Sequence, residues 1–258
     1  MHTRRALTRT AAALALLLVA GAALCQTDGP ALVQVGRTDI APQIDGTFDD
    51  PAWRGAALLA PFLLNDGVTL ATQQTQALAC HDGENLYLAI TCLERSLAPM
   101  TQQLHLLRQN VTERDGSVFG DESVEIFVQP GASGDYYQLA ANMLGTRYDS
   151  RGMDSGFDLD WRTATSADDE AWYLEVAIPL AGLGVDPPAP GEQWGLNLCR
   201  NQNPNNESST WSGLSGAFHQ PEQFGRMVFG EESAQVRLTD VAGLSLSAPA
   251  LELALDGL

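Results

Sequence analysis

The sequence predicts an all-β fold, a β-sandwich of jelly-roll or immunoglobulin-like type with short irregular or helical insertions. Three observations carry that expectation. Several segments alternate apolar and polar residues with period two. The clearest is DESVEIFVQP (121–130), where Val124, Ile126 and Val128 interleave with Ser123, Glu125 and Phe127. That period belongs to a strand with one face in a core. Gly, Pro, Asn and Asp punctuate the intervals between such segments, and no stretch of the mature chain reads as a convincing amphipathic helix.

Taken in order, the chain of 258 residues opens with Arg4, Arg5 and Arg9 ahead of an apolar run from Ala11 to Ala23. A basic segment followed by an apolar stretch too short to span a bilayer reads as an export signal over 1–25, cleaved near Cys25 and Gln26. The Arg4–Arg5 pair also fits twin-arginine export, whereas Leu24 before Cys25 disfavours lipidation. Residues 26–39 read as a linker and 40–230 as the folded domain. IDGTFDDPAW (44–53) is a turn and a short helical or irregular segment ending on an aromatic anchor. Strands at Ala77–Cys80 and Leu86–Cys92 make a hairpin around Asp82 and Gly83. Residues 97–118 lack periodicity and read as a long loop. Further strands are expected at Ser123–Gln129, Tyr136–Met143, Trp172–Ile178, Trp194–Cys199 and Arg226–Phe229. The tail, 231–258, alternates apolar residues from Leu244 to Leu255 and reads as an extra strand or the start of a further module.

Composition narrows the function classes. The chain carries 32 acidic and 14 basic side chains, a formal net charge of −18, and loss of Arg4, Arg5 and Arg9 would make it more negative. Such a surface repels nucleic acid and anionic membranes. No later segment is apolar enough to enter a membrane. Cleavage would leave Cys80, Cys92 and Cys199. A tight hairpin turn sets Cys80 opposite Tyr87 rather than Cys92, so spacing implies no disulfide, and all three read as small buried hydrophobes.

The polar faces of the strands point to a ligand surface. If the strands share a sheet, Glu125, Gln138, Asn142, Glu175 and Asn197 converge, and Phe127 lies beside Glu125. Directional donors and acceptors near an aromatic plane suit a polyhydroxyl ligand. Trp172 and Trp194 fall on core faces, while Trp211, in the loop Ser208–Gly213, is left open between core and ligand platform. Asp149, Asp154, Asp158 and Asp160 crowd one loop and are candidate Ca²⁺ ligands, although their spacing is not that of an EF-hand. Asp45 and Asp49 read as Asx-turn residues. Glu125 and Glu175 are the one pair that invites a glycosidase reading; no catalytic residue is assigned. His2, His81, His105 and His219 show no metal spacing.

As an ordered set, these segments resemble the family 9 carbohydrate-binding modules, a branch of the DOMON-like sandwiches. The matching pieces are IDGTFDDPAW (44–53), HDGENLYLAI (81–90), DESVEIFVQP (121–130) and YYQLAANMLGTRYD (136–149), followed by WYLEVAIPL (172–180), GEQWGLNLCR (191–200) and FHQPEQFGRMVF (218–229). The resemblance implies a non-catalytic module that binds a sugar or polysaccharide chain end, such as that of xylan, in an exported or cell-surface protein beside a hydrolase or further module. Sugar-binding members clamp the terminal sugar between two aromatic rings; those positions are Phe119 and Phe218 here, where tryptophan is the better-known residue. The polar contacts fall on Glu125 and Asn142, and His219 adjoins the clamp. Ala140 replaces an arginine, which removes a bidentate donor. The resemblance also implies structural calcium. Other DOMON-like sandwiches bind haem, for which Met143 and His105 are the candidate axial ligands here; a ligand-free structural domain is the third reading.

Overall fold

The computed structural model describes residues 31–94, 110–131 and 134–233. The expected signal, most of the tail and His105 therefore lie outside the described residues. Among the described residues, thirteen strands form two sheets. The first follows the order β1 (Leu32–Gly36), β13 (Gly225–Gly230), β11 (Gln193–Gln202), β6 (Ser123–Gln129), β7 (Tyr137–Asn142) and β8 (Arg147–Arg151), and β12 (Glu207–Thr210) joins β11 to the short β3 (Leu63–Leu64). The second follows the order β2 (Ala57–Leu59), β4 (Thr75–His81), β5 (Asn85–Leu93), β10 (Ala171–Pro179) and β9 (Arg162–Ala167). Neighbouring strands run antiparallel except β1, which is parallel to β13. No helix among the described residues is long and apolar enough to cross a membrane.

The core lies between the sheets and is built by the alternation the sequence displays. Val124, Ile126 and Val128 from β6, with Leu196 and Leu198 from β11, meet Leu174, Val176 and Ile178 from β10 and Leu88 and Ile90 from β5. All ten are fully buried. At 1.5–3 kcal/mol for each large aliphatic side chain removed from water, this layer is the main stabilising contribution. One end of the sandwich is closed by charge instead. Arg200, buried on β11, donates to Glu122 (2.9 Å from Nε) and to Glu94 at the end of β5, while Trp172 Nε1 reaches Glu122 at 3.2 Å. Residues of both sheets meet in this cluster, and the sequence reading did not anticipate it.

The anticipated strands of the domain are all present; five are longer by two to four residues, Ser123–Gln129 is unchanged, and the one expected at Tyr136–Met143 is two residues shorter. The hairpin register sets Cys80 opposite Tyr87, and Cys80, Cys92 and Cys199 are free and buried. Other expectations need correction. The linker assigned to 26–39 contains β1, whose Val33 and Val35 enter the core. Five residues with only two inward valines are too short a pattern to stand out. Glu231–Ser233 of the expected tail lie along β1, where the Ser233 hydroxyl accepts from the Gly36 amide at 2.9 Å. β8 (RYDSR) and β9 (RTATSA) were missed because they are polar edge strands without apolar alternation.

Glu175 does not converge with Glu125. Its strand, β10, belongs to the second sheet, and its buried carboxylate serves the segment 44–53. It accepts from the amides of Asp45 (2.9 Å) and Gly46 (2.8 Å) and from Trp53 Nε1 (3.0 Å). Asp45 in turn accepts from the Thr47 amide at 2.9 Å, the expected Asx turn.

Candidate functional site

The outer face of the first sheet carries the site. Strand register places Ser123, Glu125 and Phe127 of β6 between Asn197, Cys199 and Asn201 of β11 and Asn142, Ala140 and Gln138 of β7. Tyr148 and Ser150 of β8 stand beside Ala140 and Gln138. This face is not the open surface that the alternation implies, because every residue of β6 is buried. Loops cover it. Phe127 and Cys199 form a second small core with Leu214 and Phe224, against which Tyr136 and Phe218 pack.

A cavity of about 330 Å³ remains at the edge of that cover, lined by Phe119, Glu125, Gln138, Tyr148, Gly152, Met153, Phe218 and His219. Phe119 sits on a single 3₁₀ turn, Val118–Gly120, immediately before β6. Its ring meets Tyr148 edge-on with centroids 4.8 Å apart. Phe218 and His219 come from the loop between β12 and β13. His219 stands edge-on to Phe127 at 5.2 Å, and its Nδ1 lies 2.9 Å from the Tyr136 hydroxyl. Burial holds the His219 imidazole below its usual pKa, hence neutral near pH 7.

Glu125 is the buried ionisable group lining this cavity. Gln138 Nε2 donates to one carboxylate oxygen at 2.6 Å and Asn201 Nδ2 to the other at 2.8 Å. The Ser150 hydroxyl donates to Gln138 Oε1 at 3.2 Å and thereby orients that amide. Burial raises the Glu125 pKa, and the two amide hydrogen bonds oppose the rise. The result is a fixed acceptor flanked by amides, with rings from separate loops beside it.

Residues 44–232 match a family described as carbohydrate family 9 binding domain-like. The chain belongs to that family. No match was found among curated proteins. Three solved structures share the architecture. A family 9 carbohydrate-binding module from Caldicellulosiruptor kristjanssonii in complex with cellotriose is 16% identical with a TM-score of 0.56, over 77% of this chain and 93% of that one. A family 9 module of the same organism in complex with glucose is 15% identical with a TM-score of 0.52, over 77% and 95%. A Bacteroides uniformis protein is 18% identical with a TM-score of 0.56, over 78% and 100%. At these identities the likeness shows the fold.

Within this family 9 domain, the structure brings together Phe119, Phe218, Glu125 and His219 and separates the other expected residues from them. Asn142 does not line the cavity. Its Nδ2 donates to the Val111 carbonyl and to Asp121, both at 2.8 Å, and its Oδ1 accepts from the amides of Leu144 (3.1 Å) and Thr146 (3.0 Å). The bonds from Leu144 and Thr146 hold the β7–β8 turn, and those to Val111 and Asp121 tie it to the segment before β6. Trp211 is a core residue, packed with the main inter-sheet cluster and over Gly225. Asn197 is turned to Cys199 Sγ (3.3 Å) and the Ser212 amide (3.1 Å). Met143 packs on the main core.

The four aspartates do not assemble into one site. Asp149 is buried, accepting from the Leu159 amide (2.7 Å) and Trp161 Nε1 (3.0 Å). It also shares the Arg114 guanidinium, at 2.7 Å, with Asp158 at 2.5 Å. Asp154 caps the Gly156 amide at 2.9 Å, and Asp160 is exposed. Among the described residues, no group of three or more His, Cys, Asp or Glu is positioned to hold a metal ion.

Sequence reasoning missed Tyr148, Gly152, Met153, Tyr136 and Asn201. Tyr148 belongs to a strand that carries no apolar period. Asn201 lies past the expected end of β11. The period-two phase of β11, extended by two residues, places Asn201 on the face of Asn197 and Cys199, and that was the one available signal.

Proposed function

We propose that the protein binds carbohydrate in the cavity between Phe119 and Phe218, without breaking a bond. One observation carries the reading. Two aromatic rings from separate loops line a cavity whose floor is a buried carboxylate held by two amides. Apolar ring faces match the C–H faces of a pyranose, and a charged acceptor matches its hydroxyls. The family's solved members in complex with glucose and with cellotriose support this choice of ligand. In this proposal Tyr148 and Gln138 complete the wall and floor, and His219 presents its free nitrogen to the ligand. The proposal extends to an exported protein, from the basic and apolar leader, serving polysaccharide breakdown beside a separate hydrolase. Structural calcium remains part of it only at a site other than the four aspartates.

Titration calorimetry of glucose, xylose and their short oligomers tests the reading. Phe119→Ala and Phe218→Ala should each weaken binding by about 1–3 kcal/mol, the scale of a lost buried aromatic contact. Absence of heat with every sugar, or unchanged affinity in both variants, would overturn it.

A further inference from the structure

We infer that the preferred ligand of this cavity is an amino sugar, a pyranose whose ammonium group pairs with the Glu125 carboxylate among the surrounding rings. The inference deepens the carbohydrate reading above and rests on it. It starts from the way buried carboxylates are matched in this molecule. Six are buried among the described residues: Glu94, Asp121, Glu122, Glu125, Asp149 and Glu175. Arg200 pairs with Glu94 and Glu122, and Arg114 pairs with Asp149. Asp121 and Glu175 are instead each met by three N–H groups. For Asp121 these are the amides of Asn110 and Val111 and the Asn142 side chain. For Glu175 they are the amides of Asp45 and Gly46 and the Trp53 indole. Glu125 has neither complement. It receives one hydrogen bond on each oxygen, from the neutral amides of Gln138 and Asn201, and no arginine among the described residues pairs with it. A carboxylate has about four acceptor positions, so both oxygens can still take a donor from the cavity. Burial of a charge among neutral partners is costly, and a cationic ligand offsets that cost.

The rest of the wall agrees in sign. Phe119, Tyr148 and Phe218 line the cavity with Glu125. Aromatic faces carry partial negative charge and attract an ammonium, most strongly where water is excluded. No described arginine lines the cavity, and the chain contains no lysine. The two arginines of β8, the strand that carries Tyr148, are engaged elsewhere. Arg151 pairs with Asp135 at 2.6 Å, and Arg147 donates to the Trp161 carbonyl. His219, the remaining basic group of the lining, is held neutral near pH 7 by burial. The same rings pack on the C–H faces of the pyranose that bears the amine. A uronic acid would set like charge beside Glu125 and is disfavoured for the same reason.

The test is a charge series on one ring. Glucose, glucosamine, 6-amino-6-deoxyglucose and glucuronate, with choline as an ammonium that carries no sugar, are titrated calorimetrically at pH 7 into the parent protein and Glu125→Gln. At least one of the two amino sugars should bind the parent about tenfold more tightly than glucose, the scale of a desolvated ammonium among rings. Glucuronate should bind more weakly than glucose. In Glu125→Gln the ratio of amino sugar to glucose should fall to about one. The parent ratio decides even if the variant unfolds. Glucose binding with neither amino sugar preferred, or a preference that survives in Glu125→Gln, overturns this inference alone. Choline binding as tightly as the amino sugars overturns the assignment of the ammonium to a sugar. Absence of binding by every sugar overturns the inference together with the function it rests on.

Discussion

Glu125→Gln separates the role of the buried carboxylate in binding from its role in the fold. The side chain is only 4% exposed, so it is packed within the fold as well as lining the cavity. Its oxygens satisfy Gln138 and Asn201. Glutamine keeps the shape but sets an NH₂ against one of those donors, costing about 1–2 kcal/mol for a mismatched buried pair. Removal of a desolvated charge offsets part of this, and Gln138 can turn because its neighbour Ser150 is a hydroxyl that both donates and accepts. Net destabilisation at pH 7 should be about 1 kcal/mol or less by urea unfolding. Glu125→Leu leaves both amides without an acceptor and should cost about 1–3 kcal/mol for each. A sugar hydroxyl donating to the carboxylate forms a charge-assisted bond, so Glu125→Gln should lower affinity by about 1.5–3 kcal/mol, or ten- to a hundredfold.

The pH dependence has a definite sign. Burial raises the Glu125 pKa above its ordinary value of 4.5. The carboxyl therefore takes up its proton in the folded protein before it does in the unfolded chain. Its contribution to stability is greatest below the unfolded pKa and is lost as pH rises through the folded one. Binding should run the other way, weakening as pH falls through that same folded pKa. His219, held below 6.5, protonates on the same descent, and any slope left in Glu125→Gln reports its share. The assay is calorimetry with glucose or the best-bound oligomer from pH 4.5 to 8. Equal affinity of parent and Glu125→Gln at pH 7, or an unchanged acid slope in the variant, would refute the assignment of Glu125 as the charged acceptor.

Three further outcomes follow from the packing. Glu175→Leu should destabilise by about 3–5 kcal/mol, because three N–H donors of the 44–53 segment lose their acceptor; a loss under 1 kcal/mol on urea unfolding would show that the segment is held otherwise. Trp211→Ala should cost about 3–5 kcal/mol as a core truncation, and Gly225→Ala about 1–3 kcal/mol, since its Cβ would lie 2.5 Å from the indole; sugar affinity measured on the folded fraction should stay near the parent value in both. Burial lifts Glu94 to a pKa of about 7 despite Arg200. Stability should therefore fall by about 1–3 kcal/mol as pH rises from 5 to 8, and Glu94→Gln should flatten that fall when melting is followed across the range.

Much of this fold is legible in the chain because its central strands are long and alternate cleanly. β6, β10 and β11 each bury three or four large apolar residues on one face, and no other local structure accommodates that period. The edge strands were not legible for the opposite physical reason. β8 and β9 have few apolar residues to bury, so their pairing is fixed by backbone hydrogen bonds to a strand already in place. Tyr148, which stands beside Phe119 in the cavity, disappeared from view along with its strand. Trp211 shows a second limit. An aromatic residue in a loop reads equally as platform or plug, and the presence of Gly225 beneath the indole decides for plug.

Glu125 and Glu175 mark the limit most sharply. Both sit at the polar phase of an alternating strand, and both end buried with their oxygens occupied by donors. Local sequence treats them alike. They differ in what pairing puts beside them. β6 lies next to β7 and β11, whose side-chain amides hold Glu125 at the floor of an open cavity. β10 lies next to β5 and β9 in the other sheet, where a single segment folds down and takes every acceptor of Glu175 with backbone amides and an indole. Backbone donors cannot be exchanged for a ligand without unfolding the segment that bears them. Side-chain amides at the edge of a cavity leave lone pairs of the carboxylate for a hydroxyl to reach. The same residue type in the same pattern is thus an anchor in one sheet and a candidate ligand group in the other, and long-range strand order decides between them.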